Sequence, residues 1–310
     1  MGKLAFAFPG QGSQFVGMGW GLDSDLRDTL MHEANEALGI DIRKLCFEGP
    51  EEELNLTANT QPAILSVSVI AWRCLDREGI RPDYVVGHSL GEYSALVVAG
   101  SIPYPDALRV VRQRGQLMQE AVAVGKGSMA AILGLDAEEV ARVCKEAEKG
   151  EVIEVANLNS PGQVVIAGEV GAVSRAIELA RLRGATRAIP LPVSAPFHSS
   201  LMKPVGERLA WVLETTPISD LKMPLVTNVD ATLLTRASEV VPALVRQVSS
   251  PVLWQRCVER LIERGVDTFV EIGPGKVLSG LIRRINRGLR VFQVEDGESL
   301  KTTLDQLRKG

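Results

Sequence analysis

The chain has 310 residues, 45% of them apolar and 23% charged, a globular composition able to bury one large core or two smaller ones. Its net charge of −4 argues against broad nucleic-acid binding, which needs a basic face. Cys46, Cys74, Cys144 and Cys257 form no CxxC pair, which excludes zinc-ribbon and thioredoxin-like motifs and leaves reduced cytoplasmic thiols as the expectation.

MGKLAFAFPGQG carries too short an apolar run for a secretory signal, and Phe6 stands where a myristoylation signal needs Ser or Thr. No segment approaches the ~20 apolar residues of a membrane-spanning helix. The expected location is the cytoplasm, with no membrane or nucleic-acid partner.

Leu4 to Phe8, stopped by Pro9-Gly10, reads as a buried strand. Helical periodicity runs from about Leu26 to Leu38, and a second helix from Ala63 to a stop at Gly79. Tyr84 to Gly87 is a strand, and Leu90 to Ala99 a helix closed by Gly100. This alternation predicts a mainly parallel sheet with helices on both faces. From Gly127 to Val193 the order changes to β-α-β-β-α-β. It comprises a strand at 128–135, a helix capped by Asp136 and stopped at Gly150, strands at 151–159 and 163–168 joined by Ser160-Pro161-Gly162, a helix at 171–184 and a strand at 185–193. That is the split βαβ, or ferredoxin-like, unit. We expect an α/β fold with residues 126–196 inserted as a small subdomain into a large discontinuous domain, 1–125 and 197–310. The large domain resumes with a strand at 223–229, a helix at 240–265 broken at Ser250-Pro251, a strand at 267–275 and a helix reaching Ile285.

Gly87-His88-Ser89-Leu90-Gly91 matches G-x-S-x-G at a strand-to-helix junction, the setting of a nucleophile elbow. The turn leaves room only for glycine on either side, and the helix beginning at Leu90 aims its N-terminal amides at any negative charge that develops there. A serine nucleophile needs a base. His88 is too close in sequence to turn onto its neighbour, and His32 lies on a charged helix face. His198, in a loop beyond the inserted unit, is the remaining histidine and therefore the base. The group that orients it, an acid from elsewhere or a backbone carbonyl, is not fixed by spacing.

The loop Gly10 to Gln14 lacks the third glycine of a dinucleotide fingerprint, since position 15 is Phe15, and it lacks the Lys of a P-loop. It fits a loop whose backbone amides face a ligand, such as the second oxyanion donor of a serine hydrolase-like site. Arg109, Arg112 and Arg114 point at different angles on one helix, and spacing does not choose which of them faces inward.

FPGQGSQFVGMG, GHSLGEYSAL, RQRGQLMQEA, NSPGQVVIAG, APFHSSLM, RQVSSPVLW and VEIGPGKVLSGL together resemble, in order and nearly end to end, the malonyl-CoA:acyl carrier protein transacylase family of bacterial fatty acid synthesis. The resemblance implies a hydrolase-like core with a ferredoxin-like insert, Ser89 as nucleophile and His198 as base. It further implies oxyanion donors at the amides of Gln11 and Leu90, Arg114 on the malonyl carboxylate, and the Gln247 carbonyl orienting His198. Phe197 and Leu90 resemble the malonyl-using branch. No cofactor or metal is called for. The partners implied are malonyl-CoA and an acidic acyl carrier protein. Arg283, Arg284 and Arg287, in an acid-free stretch from 281 to 290, are candidates for steering that carrier. Rival expectations are a thioesterase, a carrier-binding module with a dead site, and an acyltransferase serving a polyketide carrier.

Overall fold

The computed structural model describes residues 2–123, 125–193 and 195–309. Its strands are β1 (Lys3–Phe8), β2 (Tyr84–Gly87), β3 (Gly127–Leu133), β4 (Ile153–Ser160), β5 (Gln163–Glu169), β6 (Arg187–Pro190), β7 (Leu225–Val226), β8 (Leu233–Leu234), β9 (Val266–Ile272) and β10 (Arg290–Val294).

Six strands make one sheet in the order β10-β9-β1-β2-β7-β8. All its neighbours are parallel except β7 and β8. β1 shows why the sheet is covered on both sides. Its side chains alternate, so Phe6 and Phe8 enter one core with Met18, Ile64 and Leu65, while Ala5 and Ala7 enter a second core with Trp254 and Phe269. A strand buried on both faces reads as a continuous apolar run, as this one does.

The other four strands form an antiparallel sheet in the order β4-β5-β3-β6, the order of a split βαβ unit. Ala130, Ile132 and Ile166 on one face pack with Val140 and Val143 of the helix Ala137–Ala147 and with Val173 and Ile177 of the helix Val170–Leu182. Met129, Val165 and Ala167 belong instead to the core shared with Phe6 and Phe8. Backbone bonds from Leu158 N to Val252 O and from Val252 N to Ala156 O, each 2.9 Å, stitch β4 to the segment before the helix Trp254–Glu263.

Several boundaries differ from expectation. The central helix starts at Thr57 rather than Ala63 and contains Pro62, which gives up one backbone bond in a segment otherwise secured by burial. The strand expected at 223–229 is only Leu225–Val226, and that at 185–193 only Arg187–Pro190. β8, β10 and the helices Ile42–Glu48, Lys203–Glu214 and Gly297–Leu307 were not expected. Among the described residues, no helix is long and apolar enough to cross a membrane.

Candidate active site

Ser89 sits between β2 and the helix Gly91–Val98 with φ 51°, in the left-handed region that L-residues avoid at a cost of ~1–2 kcal/mol. The flanking glycines are forced by contact. A Cβ at Gly87 would lie 1.9 Å from the Gly91 carbonyl carbon, and one at Gly91 would lie 2.0 Å from the Phe8 carbonyl oxygen. The Ser89 amide donates to Asn228 Oδ1 at 2.6 Å, and its carbonyl accepts from Gln247 Nε2 at 3.0 Å.

The Ser89 hydroxyl lies 2.7 Å from His198 Nε2, and His198 Nδ1 lies 2.9 Å from the Gln247 carbonyl. A carbonyl only accepts, so Nδ1 carries the proton and Nε2 presents its lone pair to the serine. His198 is 4% exposed. Burial first, then the Arg114 charge, lower its pKa to about 3. His198 is therefore neutral at physiological pH and able to accept a proton.

Arg114 is 1% exposed. It donates to Gln61 Oε1 at 2.8 Å, Gln247 Oε1 at 3.0 Å and Ser89 Oγ at 3.1 Å, and its guanidinium lies 5.5 Å from the Tyr93 ring centre. Its Nε has no protein partner among the described residues, and no carboxylate hydrogen-bonds any of its nitrogens there. A buried guanidinium held by neutral amides keeps its charge for a ligand. Arg109 instead pairs with Asp106 at the surface and Arg112 with Asn59.

The cleft over Ser89, about 110 Å³, is lined by Gln11, Leu90, Arg114, Met118, Phe197 and His198 among others. The Gln11 and Leu90 amides have no protein acceptor among the described residues. Ser13 Oγ, donating to the Gly10 carbonyl at 2.7 Å, holds the first of these loops. A contiguous cavity of about 240 Å³ extends past Gln11, His88, Asn157 and Asn159 to Val277 and Leu281. Every predicted site residue on the nucleophile, base, oxyanion and arginine list is thus brought to one place, with Gln247 beneath it. His88 turns away to Asn159 at 2.9 Å and packs on Trp254, and His32 is exposed.

Two arginines of the predicted cluster have different partners. Arg283 donates to the Val291 carbonyl at 2.7 Å and lines a separate groove with Glu295 and Glu298. Arg284 donates to Gln163 of β5 at 2.6 Å. Arg283, Arg284 and Arg287 are all exposed.

Three polar residues escaped the sequence reading. Asn228 bonds the Ser89 amide and donates to the Gly87 carbonyl at 2.6 Å. Gln61 holds Arg114. Glu92 is 1% exposed and accepts from Gln247 Nε2 at 2.9 Å and the Asn228 amide at 3.0 Å. A signal for Glu92 existed: it is the one charge in GEYSALVV, an otherwise neutral, fully buried helix.

The acyl transferase domain family matches residues 5–302, so the chain is an acyltransferase. It is 48% identical over 312 residues to the malonyl CoA-acyl carrier protein transacylase of Bacillus subtilis, covering 100% of this chain and 98% of that one. It is 46% identical to the Escherichia coli K12 protein of the same name, over 98% and 100% of the two chains. Among solved structures, an acyl carrier protein S-malonyltransferase from Vibrio cholerae superposes with a TM-score of 0.95 at 47% identity, covering 97% of this chain and 99% of that one. A malonyl-transacylase in complex with its type II PKS acyl-carrier protein does so at 0.96 and 48%, covering 98% and 99%. The chain belongs to the malonyl CoA-acyl carrier protein transacylase family.

Proposed function

We propose that this protein moves a malonyl group from malonyl-CoA to the phosphopantetheine thiol of an acyl carrier protein by way of a malonyl ester on Ser89. The observation that carries this is the convergence of His198 Nε2 at 2.7 Å and Arg114 Nη2 at 3.1 Å on one hydroxyl oxygen.

Ser89 Oγ attacks the thioester carbonyl carbon while its proton passes to His198 Nε2. The tetrahedral oxyanion is received by the Gln11 and Leu90 amides, each donor of this kind being worth ~3 kcal/mol in the transition state. The C–S bond breaks, and His198 returns its proton to the departing coenzyme A thiolate. The carrier's thiol then attacks the malonyl-serine ester in the same site, giving ping-pong kinetics.

Arg114 serves twice. The malonyl carboxylate is two bonds from the acyl carbon, so a guanidinium touching Oγ is placed to pair with it. That pairing also removes a penalty. The Arg114 charge opposes formation of the His198 imidazolium, and a carboxylate on Arg114 offsets it as the proton arrives. Malonyl groups therefore gain in the chemical step as well as in binding, and acetyl groups gain in neither.

We read 126–196 as a unit inserted between 1–125 and 197–310. Its two ends meet, since a Cβ on Gly127 would lie 2.3 Å from Pro196 Cδ. Arg284 and Arg287 serve as carrier-steering charges, whereas the Val291 contact and neighbouring acids of Arg283 argue against that part for it.

The test is intact-mass spectrometry. Malonyl-CoA alone should add one malonyl group, absent in Ser89→Ala, and a phosphopantetheinylated carrier should remove it. Steady consumption of malonyl-CoA without a carrier would show a thioesterase instead, and no covalent addition would show a dead site.

A further inference from the structure

Gln247 is the joint of the site. Its backbone carbonyl holds His198, its side-chain oxygen accepts from Arg114, and its Nε2 donates both to the Ser89 carbonyl and to Glu92. The Ser89 carbonyl can only accept, so the amide cannot flip without losing that bond and facing NH2 at Arg114. The same Glu92 oxygen accepts from the Asn228 amide, and Asn228 holds the Ser89 amide. One buried carboxyl thus braces the mounts of the nucleophile, the base and the carboxylate-binding cation.

We propose that Glu92 is a positioning residue that sets acyl-group selection, its charge acting on Arg114 and His198 through the Gln247 amide. This rests on the transacylase reading. With Glu92 ionised, the Arg114 charge is partly balanced. A neutral acyl group then reacts in a nearly balanced site, and a malonyl carboxylate is attracted less strongly. With Glu92 protonated, Arg114 is unbalanced and the malonyl carboxylate supplies the missing charge. Binding of malonyl thus favours uptake of one proton from solvent onto Glu92.

The charged and titratable groups around Glu92 are few. Arg114 lies on the helix Tyr104–Glu120 and Tyr93 on Glu92's own helix. Asp230 follows β7, Cys257 lies on the helix Trp254–Glu263, and His198 stands beyond Gln247. Asp230 is already paired with Arg246 at 2.6 Å. Burial lifts Tyr93 to about 12 and Cys257 well above the usual thiol value, and His198 lies at about 3. Glu92 itself is raised by burial to about 7. Glu92 is therefore the member of this set that changes charge between pH 6 and pH 8.5.

The experiment measures kcat/KM for malonyl-CoA and acetyl-CoA across that pH range and takes their ratio, which cancels changes in His198 and thiol chemistry common to both. In the wild-type enzyme the ratio should fall about tenfold as pH rises, the size expected for one charge acting across one amide. In Glu92→Gln, whose side-chain oxygen still accepts both hydrogen bonds, it should be flat. A flat wild-type ratio, or an equal slope in Glu92→Gln, overturns the proposal. Should Glu92→Gln fail to fold, the wild-type profile decides alone. Absence of a malonyl adduct on the wild-type enzyme would instead overturn the transacylase reading, so the two failures are distinct.

Discussion

Replacing Arg114 with Ala tests the selection mechanism most directly. Arg114 is 1% exposed and is the cation hydrogen-bonded to Ser89 Oγ, so a malonyl carboxylate in the variant is buried without a partner. Breaking a buried pair from one side costs ~3–5 kcal/mol, which at about 1.4 kcal/mol per tenfold is a loss of roughly one hundredfold to several thousandfold in kcat/KM for malonyl-CoA. Acetyl-CoA should react as fast as before or faster. Arg114 is the second cause holding His198 down, and without it the imidazolium forms more readily. The fold pays a separate cost, because Gln61 Oε1 and Gln247 Oε1 lose their donor, at ~1–3 kcal/mol for each acceptor left unsatisfied. Arg114→Lys keeps the charge but not the fork, and should recover only part of the malonyl rate. Rapid-quench acylation with both thioesters, beside thermal melts, separates chemistry from stability. Unchanged malonyl-over-acetyl preference in Arg114→Ala would refute the reasoning.

In the proposed mechanism His198 accepts the Ser89 proton only when neutral and sits at about 3, so acylation by malonyl-CoA, measured as kcat/KM, should show no acid limb near the ordinary histidine value. In Arg114→Ala the limb should move upward, and a wild-type limb near pH 6.5 would contradict the burial argument. Gly91→Ala should destabilise by about 3 kcal/mol or more in denaturant titration, since its Cβ would fall 2.0 Å from the Phe8 carbonyl; a loss below ~1 kcal/mol would mean the elbow relaxes freely. Of two dead variants, Ser89→Gly should melt higher than Ser89→Ala. At φ 51° glycine avoids ~1–2 kcal/mol of strain and returns less than that in unfolded-state entropy, so equal or reversed melting temperatures would deny the strain. Charge reversal of Arg284 and Arg287 together should raise the KM for the carrier and leave malonyl-CoA acylation unchanged; equal loss in both half-reactions would place these residues outside carrier binding.

The turn at Ser89 was legible because glycine spacing records a steric fact: Gly87 and Gly91 stand where a side chain would overlap backbone. His198 was legible by elimination among three histidines. The choice among the arginines was readable by a stricter use of helical period. Ala107, Val110, Val111, Leu117 and Met118 lie at the centre of the buried stripe of the helix Tyr104–Glu120. Arg114 is three or four residues from Val110, Val111, Leu117 and Met118, whereas Arg112 is so spaced only from Leu108 and Gly115 at the stripe's edge, and Arg109 from no residue of the stripe. Asn228 was out of reach, since its bond to the Ser89 amide spans 139 positions and no local pattern encodes it. β10 and the helix Gly297–Leu307 were missed for another reason. Their apolar residues number too few, in runs too short, to separate strand from helix by period, and tertiary packing decides them.

Positive φ marks only four non-glycine residues among those described, and two of them are Ser89 and His198, at 51° and 60°. Strain of this kind persists only where the surroundings over-determine it, and here the bracing comes from both sheets. Ser89 is held at its amide by Asn228 and at its carbonyl by Gln247, from the segments after β7 and before Pro251. The histidine loop is held by Ser199 Oγ donating to the Pro196 carbonyl at 2.7 Å and by the Ser200 amide donating to Glu154 of β4 at 2.6 Å. Ser89 and His198 thus share Gln247 but are otherwise tied to different sheets, and the 2.7 Å between them depends on how those sheets are registered. The bonds that fix that register, between Leu158, Ala156 and Val252, lie five residues from Gln247 at their nearer end. The segment that joins the sheets is therefore the segment that holds the imidazole, which is why the geometry between Ser89 and His198 belongs to the whole fold and not to the serine loop alone.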